Sequence, residues 1–156
     1  MKLIFLSFIL TGLILYSHLL EATHIRAGEI TATLIDCQNY SYLITVTGYT
    51  DTGSNVRFGG GEIDFGDGTS LQLNTEDYDF KQDLGNEIAI NIFRFEHTFP
   101  GPGEYKISFF ERNRNRDILN IEYSVETPFY IETTIKIDPL LGCNNTPVLS
   151  IPPVDM

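Results

Sequence analysis

Acidic side chains near an Asp-Gly turn are the residues of this chain best suited to holding a metal ion. Asp64 and Asp67 belong to the run Asp-Phe-Gly-Asp-Gly-Thr, and a loop shortly after it carries Glu76, Asp77 and Asp79. Carboxylate oxygens are the ligands that calcium prefers, although the spacing here is not that of an EF-hand loop. Asp-Gly turns are also closed by hydrogen bonds from their own backbone. A calcium site and a self-capped turn therefore both remain open.

A run of three arginines is the second group with binding chemistry. Arg112, Arg114 and Arg116 alternate with asparagines, and side chains two residues apart lie on the same side of an extended chain. Guanidinium groups bind planar anions through paired N–H donors. The segment is therefore suited to contacting a sulfated or uronic glycan, an acidic neighbouring domain or a surface protein. The alternative is a solvated hairpin tip with Asn at the turn positions.

The N-terminal residues have the features of a secretory signal peptide. Lys2 is followed by an apolar run over residues 3–16 and then by small residues. This pattern predicts a signal helix over residues 1–22 that is cleaved before Thr23. The apolar run is shorter than the ~18 residues that a membrane span requires, so we expect no stable membrane span after cleavage. The protein is therefore expected to be secreted, in the extracellular space or on the cell surface.

Two cysteines, Cys37 and Cys143, follow the predicted cleavage site. Export to an oxidising compartment favours their pairing. A bridge that closes a loop of about 100 residues contributes up to ~4.7 kcal/mol in the chain-entropy model. Because the sequence gives no distance between the two residues, a pair of unpaired thiols remains the alternative.

No arrangement of side chains in the sequence indicates catalysis. His24 and His97 lack the spaced Cys or His partners of a zinc site. There is no Gly-x-Ser-x-Gly motif, and the three glycines at residues 59–61 lack the Lys and helix of a phosphate-binding loop. The formal net charge of −11 opposes binding to nucleic acid. We therefore expect no enzyme, and no cofactor apart from the calcium considered above.

Alternating apolar and polar residues dominate the chain after the signal segment, and this period of two is typical of strands. The predicted strands cover residues 29–34, 40–49, 62–65, 70–73, 88–95, 105–110 and 129–138. Residues 74–85 are predicted to form an acidic loop. Short strands separated by turn residues predict an all-β, antiparallel sandwich of about 7–9 strands. This domain would occupy residues 23–140, followed by a Pro-rich linker over residues 141–156.

Two turn motifs lie in the centre of the chain. The first is Asp64-Phe65-Gly66-Asp67-Gly68-Thr69, and the second is His97-Thr98-Phe99 with Gly103 and Tyr105. Together they resemble the paired signature of the PKD domain, an immunoglobulin-like β-sandwich of cell surfaces. The similarity covers about residues 40–112, with Ile63 in place of the signature Trp. It implies a spacer or adhesive unit rather than a catalyst.

Residues 23–30, 124–133 and 144–149 carry a wider resemblance. With them, the chain is similar to the N-terminal domain of large secreted proteins of Bacteroidota, which contain PKD-like domains and often end in a gliding-motility-associated sorting domain. The resemblance implies a non-catalytic module with a structural, adhesive or protein-interaction role, at the N-terminus of a longer multidomain protein. The alternative function is a carbohydrate-binding accessory domain of a secreted polysaccharide-degrading enzyme.

Overall fold

The structure consists of two four-stranded antiparallel sheets. The computed structural model describes residues 25–53, 57–112, 114, 121–124, 126–138, 140–151 and 153. Within these residues it has eight strands and no helix, and so no helix capable of crossing a membrane. The strands are β1 (Ile25–Asp36), β2 (Ser41–Asp51), β3 (Glu62–Asp64), β4 (Ser70–Gln72), β5 (Phe80–Gly85), β6 (Ile88–Thr98), β7 (Gly103–Glu111) and β8 (Phe129–Ile137). The predicted signal segment, residues 1–22, lies outside the described residues.

The chain forms four hairpins that are divided between the two sheets. The first sheet has the strand order β1-β2-β6-β5, and the second has the order β4-β3-β7-β8. Every pairing is antiparallel. Each hairpin therefore joins strands that are consecutive in the sequence, and the chain passes from one sheet to the other after β2, β4 and β6.

One hydrophobic core lies between the sheets, so the fold is sandwich-like. Phe58 contacts Phe93 of the first sheet and Phe109 of the second, with ring centroids 5.7 and 5.5 Å apart. Ile63, at the position of the signature Trp, is fully buried. Burial of a large apolar side chain contributes about 1.5–3 kcal/mol. The core comprises residues 25, 30, 32, 42, 44, 46, 58, 63, 65, 73, 93, 99, 105, 107, 109, 129, 135 and 137.

Two parts of the first sheet differ from the prediction. β5 lies within residues 74–85, which the sequence predicted as an acidic loop. Its side chains are almost all exposed, so it lacks the apolar alternation that marks a half-buried strand. β6 continues beyond residue 95, so His97 and Thr98 belong to a strand paired with β2 and not to the corner that follows.

Residues that follow β8 cover the outer edge of β1. The N–H of Thr146 donates to the carbonyl oxygen of Ala32 at 3.0 Å, and the N–H of Ala32 donates to Oγ1 of Thr146 at 2.8 Å. The N–H of Leu34 donates to Oδ1 of Asn145 at 2.6 Å. The first part of the predicted linker, residues 141–156, therefore packs against the sandwich and satisfies backbone groups that β2 does not reach.

Candidate functional site

The first motif builds the turn between β3 and β4. Oδ1 of Asp64 accepts the N–H of Gly66 at 2.7 Å, and the N–H of Phe65 donates to the carbonyl oxygen of Thr69 at 3.1 Å. Gly66 and Gly68 have φ angles of 77° and 91°, a region that favours glycine. A Cβ atom on Gly66 would also collide with the backbone of β7. The turn thus requires these residue types for its own geometry.

Asp67 joins this turn to the second motif. Its Oδ1 accepts the N–H of Thr69 at 3.0 Å and the Thr69 hydroxyl at 2.6 Å. Its Oδ2 lies 2.8 Å from Nε2 of His97. The His97 ring stacks on Phe65 with a centroid separation of 3.9 Å and an interplanar angle of 2°. These four residues, here called the Asp67–His97 cluster, bring the two motifs together and connect the two sheets.

The Asp67–His97 cluster favours the charged form of Asp67. Burial raises the pKa of this carboxyl group, but hydrogen bonds from Thr69 and His97 outweigh burial and lower the pKa from its ordinary 3.8. The Asp67 side chain is only 4% exposed, and a buried carboxylate is tolerated when donors surround it. Phe99 contacts the His97 ring edge-on at 4.7 Å. The rings of Phe65 and Phe99 flank the imidazole. The cluster therefore holds the β3–β4 turn against β6.

Tyr105 closes the corner between β6 and β7 through a hydrogen bond that the sequence did not reveal. Its hydroxyl donates to the carbonyl oxygen of Gly101 at 2.8 Å. Its ring packs on Phe99 at a centroid separation of 4.5 Å, and a Cβ atom on Gly103 would come within 3.2 Å of that ring. The sequence feature that could have indicated this hydrogen bond is a Tyr four residues after a Gly in a Pro/Gly corner. Sequence alone does not tell where such a hydroxyl points.

Thr98 and Phe99 tie the same corner to β2. Oγ1 of Thr98 and Oγ of Ser41 are 2.7 Å apart, and the N–H of Phe99 donates to the carbonyl oxygen of Tyr40 at 3.1 Å. The Phe99 ring meets the Tyr42 ring edge-to-face at 5.8 Å. Tyr42 is fully buried, and its hydroxyl has no hydrogen-bond partner among the described residues. Burial raises the pKa of Tyr42.

Cys37 and Cys143 form a disulfide bond. The bridge joins the turn between β1 and β2 to the segment that follows β8, across 106 positions of sequence. It lies close in sequence to Asn145 and Thr146, which bind the edge of β1. Covalent and hydrogen-bonded contacts therefore hold the same segment in place.

The predicted arginine surface is divided in the structure. Arg112 is exposed and lines a cavity at one end of the second sheet. The guanidinium carbon of Arg114 lies 5.7 Å from the ring centroid of Phe129, a cation–π contact. Arg116 lies outside the described residues. Of the three, only Arg112 is thus described at a surface that a glycan or a partner can enter.

The acidic residues predicted to bind calcium are engaged in other contacts. Both carboxylate oxygens of Asp67 accept protein donors, and Asp64 caps its own turn. In the acidic loop, Glu76 pairs with Arg57 at 2.9 Å. Among the residues with described positions, no group of three or more His, Cys, Asp or Glu is arranged to hold a metal ion. The calcium site therefore stays a prediction.

Comparison of the chain with models of known protein families, with curated proteins and with solved structures found no match. The resemblance to PKD domains therefore stays a prediction carried by the two motifs.

Proposed function

We propose that this chain is a non-catalytic module of the extracellular space or cell surface, with an immunoglobulin-like fold of PKD type. Its role is structural, adhesive or protein-binding, as in the cell-adhesion and gliding-motility proteins of Bacteroidota that its sequence resembles. Its partners are neighbouring domains or surface proteins, or the glycans that such surfaces carry. Nucleic acid is not among them, since the net charge of −11 repels phosphate.

The strand order supports the immunoglobulin-like type. Immunoglobulin domains place strands A, B, E and D in one sheet and strands C, F and G in the other. If β1 is strand A, the order β1-β2-β6-β5 is A-B-E-D, and β3-β7-β8 is C-F-G with β4 as one added strand. The hydrogen bond from Tyr105 to Gly101 at the start of β7 has the position and geometry of the tyrosine corner of such domains.

One observation supports the non-catalytic role: the motif residues make their contacts with other parts of the fold. Asp67 and His97 are the motif side chains best suited to acid–base chemistry. Asp67 accepts three hydrogen bonds within its cluster, and His97 is flanked by the rings of Phe65 and Phe99. The remaining motif residues form turns, strand pairs and core. These roles favour a scaffold whose surface makes the contacts with other molecules.

The disulfide bond supports an extracellular location. Disulfides persist in oxidising compartments and are rare in the cytosol. The bridge between Cys37 and Cys143 therefore agrees with the predicted signal peptide over residues 1–22. The acidic net charge is also suited to a protein that stays dissolved outside the cell.

Surface labelling of whole cells tests the location. An antibody against the purified chain should label unpermeabilised cells that express the protein, and the mature N-terminus should begin at Thr23. Cells that lack the protein should attach less to a surface, and complementation with the wild-type chain should restore attachment. Labelling only after permeabilisation, or unchanged attachment, would contradict the proposal.

Activity screening of the purified chain tests the non-catalytic role separately. Ester, peptide and glycoside substrates should show no turnover above buffer. Any turnover that persists through purification and disappears in His97→Gln, while the folded β-sheet signal remains, would show that the Asp67–His97 cluster is a reactive centre.

A further inference from the structure

A cavity of about 450 Å³ lies at one end of the second sheet. It is formed by the ends of β3, β4 and β7 and by the loop that precedes β3. Small-molecule sites in proteins have volumes of about 300–1,000 Å³ and combine an apolar surface with a few polar groups. The cavity meets this description, because Phe110 lies among Glu62, Gln72, Glu111 and Arg112.

The polar groups of the cavity are held by the protein backbone. Nε2 of Gln72 donates to the carbonyl oxygens of Gly60 and Gly61 at 3.0 and 2.7 Å. Its amide orientation is therefore set before any ligand enters. Glu111 is 1% exposed, and its Oε2 accepts the N–H of Gly59 at 3.1 Å.

The strand register places four side chains in a row that crosses the whole second sheet and includes residues of the cavity. Gln72 pairs with Glu62, Glu62 pairs with Phe110, and Phe110 pairs with Tyr130. The four side chains therefore share one face of four neighbouring strands. Because strands lie about 4.8 Å apart, the row is about 14 Å long. It runs from polar groups at one side to two aromatic side chains at the other.

The two aromatic side chains of the row are exposed. Phe110 is 42% exposed and Tyr130 is 46% exposed. The Tyr130 hydroxyl donates to Glu132 at 2.7 Å, and Glu132 also pairs with Lys106 at 3.3 Å. The second ring is thus positioned by its neighbours. Adjacent exposed aromatic side chains on a rigid strand pair offer an apolar surface to a ligand.

The charges around the cavity decide which ligand class fits. Glu62 disfavours an anion, and Arg112 disfavours a cation. A neutral ligand with many hydroxyl groups can donate to the Glu62 carboxylate and accept from the Arg112 guanidinium at once. Its apolar C–H groups can pack on Phe110 and Tyr130. A linear sugar chain combines these properties with the length of the row.

We infer that the row Gln72–Glu62–Phe110–Tyr130 and its cavity bind a neutral oligosaccharide chain. Phe110 and Tyr130 contact the apolar faces of successive sugar rings, and Glu62 and Arg112 bind hydroxyl groups. This inference rests on the proposed function, in which glycans are among the partners, and names the class of glycan; the two can fail separately. A chain that binds no sugar remains a surface module, and one that is not on the cell surface can still bind sugar in vitro.

Isothermal titration of the purified full chain with cellohexaose, xylohexaose, mannohexaose and laminarihexaose tests the inference. At least one of these neutral hexasaccharides should bind, and Phe110→Ala should weaken that binding by about tenfold or more. Tyr130→Ala should weaken it as well. Phe80→Ala is the matched control, because Phe80 is 41% exposed on the other sheet and should leave the affinity unchanged.

Salt dependence separates a neutral ligand from a charged one. Hexasaccharide binding should change little between about 0.05 and 0.5 M NaCl, because no ion pairs form. Hexalysine and polygalacturonate serve as the charged probes. Glu62→Gln is a second variant that keeps the size of the side chain, and it should weaken sugar binding if Glu62 accepts from hydroxyl groups.

Three results would overturn the inference. The first is no binding of any neutral hexasaccharide at about 5 mM. The second is an equal loss of affinity in Phe110→Ala and Phe80→Ala, both shown to be folded by circular dichroism. The third is binding of a charged probe alone, with an affinity that falls as salt rises, which would assign the cavity to a peptide or an acidic polymer.

Discussion

Replacement by Phe at two buried tyrosines is expected to have opposite effects on the free energy of unfolding. The hydroxyl of Tyr105 donates to the carbonyl oxygen of Gly101 at 2.8 Å, whereas the hydroxyl of Tyr42 has no partner among the described residues. Replacing either residue by Phe removes one oxygen and keeps the ring. Tyr105→Phe therefore breaks a hydrogen bond, and Tyr42→Phe removes a polar group that is buried without one.

The magnitudes follow from the surroundings of the two hydroxyl groups. A protein hydrogen bond contributes about 0.5–1.5 kcal/mol net. Because Gly101 is partly exposed, water can replace the lost donor, and Tyr105→Phe should lower the free energy of unfolding by about 1 kcal/mol. A buried hydroxyl without a partner costs about 1–3 kcal/mol. Tyr42→Phe removes this cost and should therefore raise the free energy of unfolding by about 1 kcal/mol.

Urea unfolding followed by circular dichroism measures both effects, since the chain contains no Trp for fluorescence. The urea dependence should keep its slope, which shows that only stability has changed. Both rings contact Phe99, but because the rings remain, the double variant should show the sum of the two effects. A loss in Tyr42→Phe as large as that in Tyr105→Phe would refute the reasoning.

Three further perturbations test the motifs and the disulfide. Since the pKa of Asp67 is lowered below 3.8 in the folded protein, the stability that its charge contributes is present above pH 3.8 and is lost as the pH falls through the folded pKa. The difference in unfolding free energy between wild type and Asp67→Asn should therefore shrink as the pH falls from about 5 to 2, and a constant difference would contradict this. Replacing Cys37 and Cys143 by Ser should lower the free energy of unfolding by up to about 4.7 kcal/mol in the chain-entropy model; mass spectrometry that finds two free thiols in the secreted wild type would contradict the bridge. Gly68→Ala should cost about 1 kcal/mol for its positive φ alone, and Gly66→Ala should cost about twice as much in thermal unfolding because its Cβ also meets β7; equal losses would remove the packing explanation.

The sequence predicted the strands that have one buried face and one polar face. Along β2, which overlaps the predicted strand 40–49, Tyr42, Ile44 and Val46 are fully buried. Along β8, which lies within the predicted strand 129–138, Phe129, Ile135 and Ile137 are buried in the core. In these strands the period of two follows directly from burial, so the pattern carried the all-β prediction.

Features that depend on the partner of a strand could not be predicted. β5 is exposed along most of its length and is held in the first sheet by backbone pairing with β6. Backbone pairing leaves no trace in side-chain type. In β6, apolar residues occupy both faces: Phe93 lies in the core and Ile88 is buried, whereas Ile90 and Ile92 are half-buried.

The contacts within the candidate sites were predictable only in part. The two motifs were expected to form turns, and the meeting of Asp67 with His97 required the register of β6 and the position of the β3–β4 turn. The buried carboxylate of Glu111 lies on the β7 face of Tyr105, Ile107 and Phe109, a position at which a charged side chain is not expected. Such positions become visible only when two sheets are placed on one another.

The order in which β1 and its cover are synthesised has a consequence for how this protein matures. Ala32 lies in the first strand, and Thr146, which protects its edge, follows 114 positions later. Until that segment is synthesised, the edge of β1 has unpaired backbone groups, and these can pair with a strand of another copy of the chain. Misassembly should therefore be most frequent early in export, and a mildly reducing medium, which delays closure of the bridge, should increase the yield of soluble multimers.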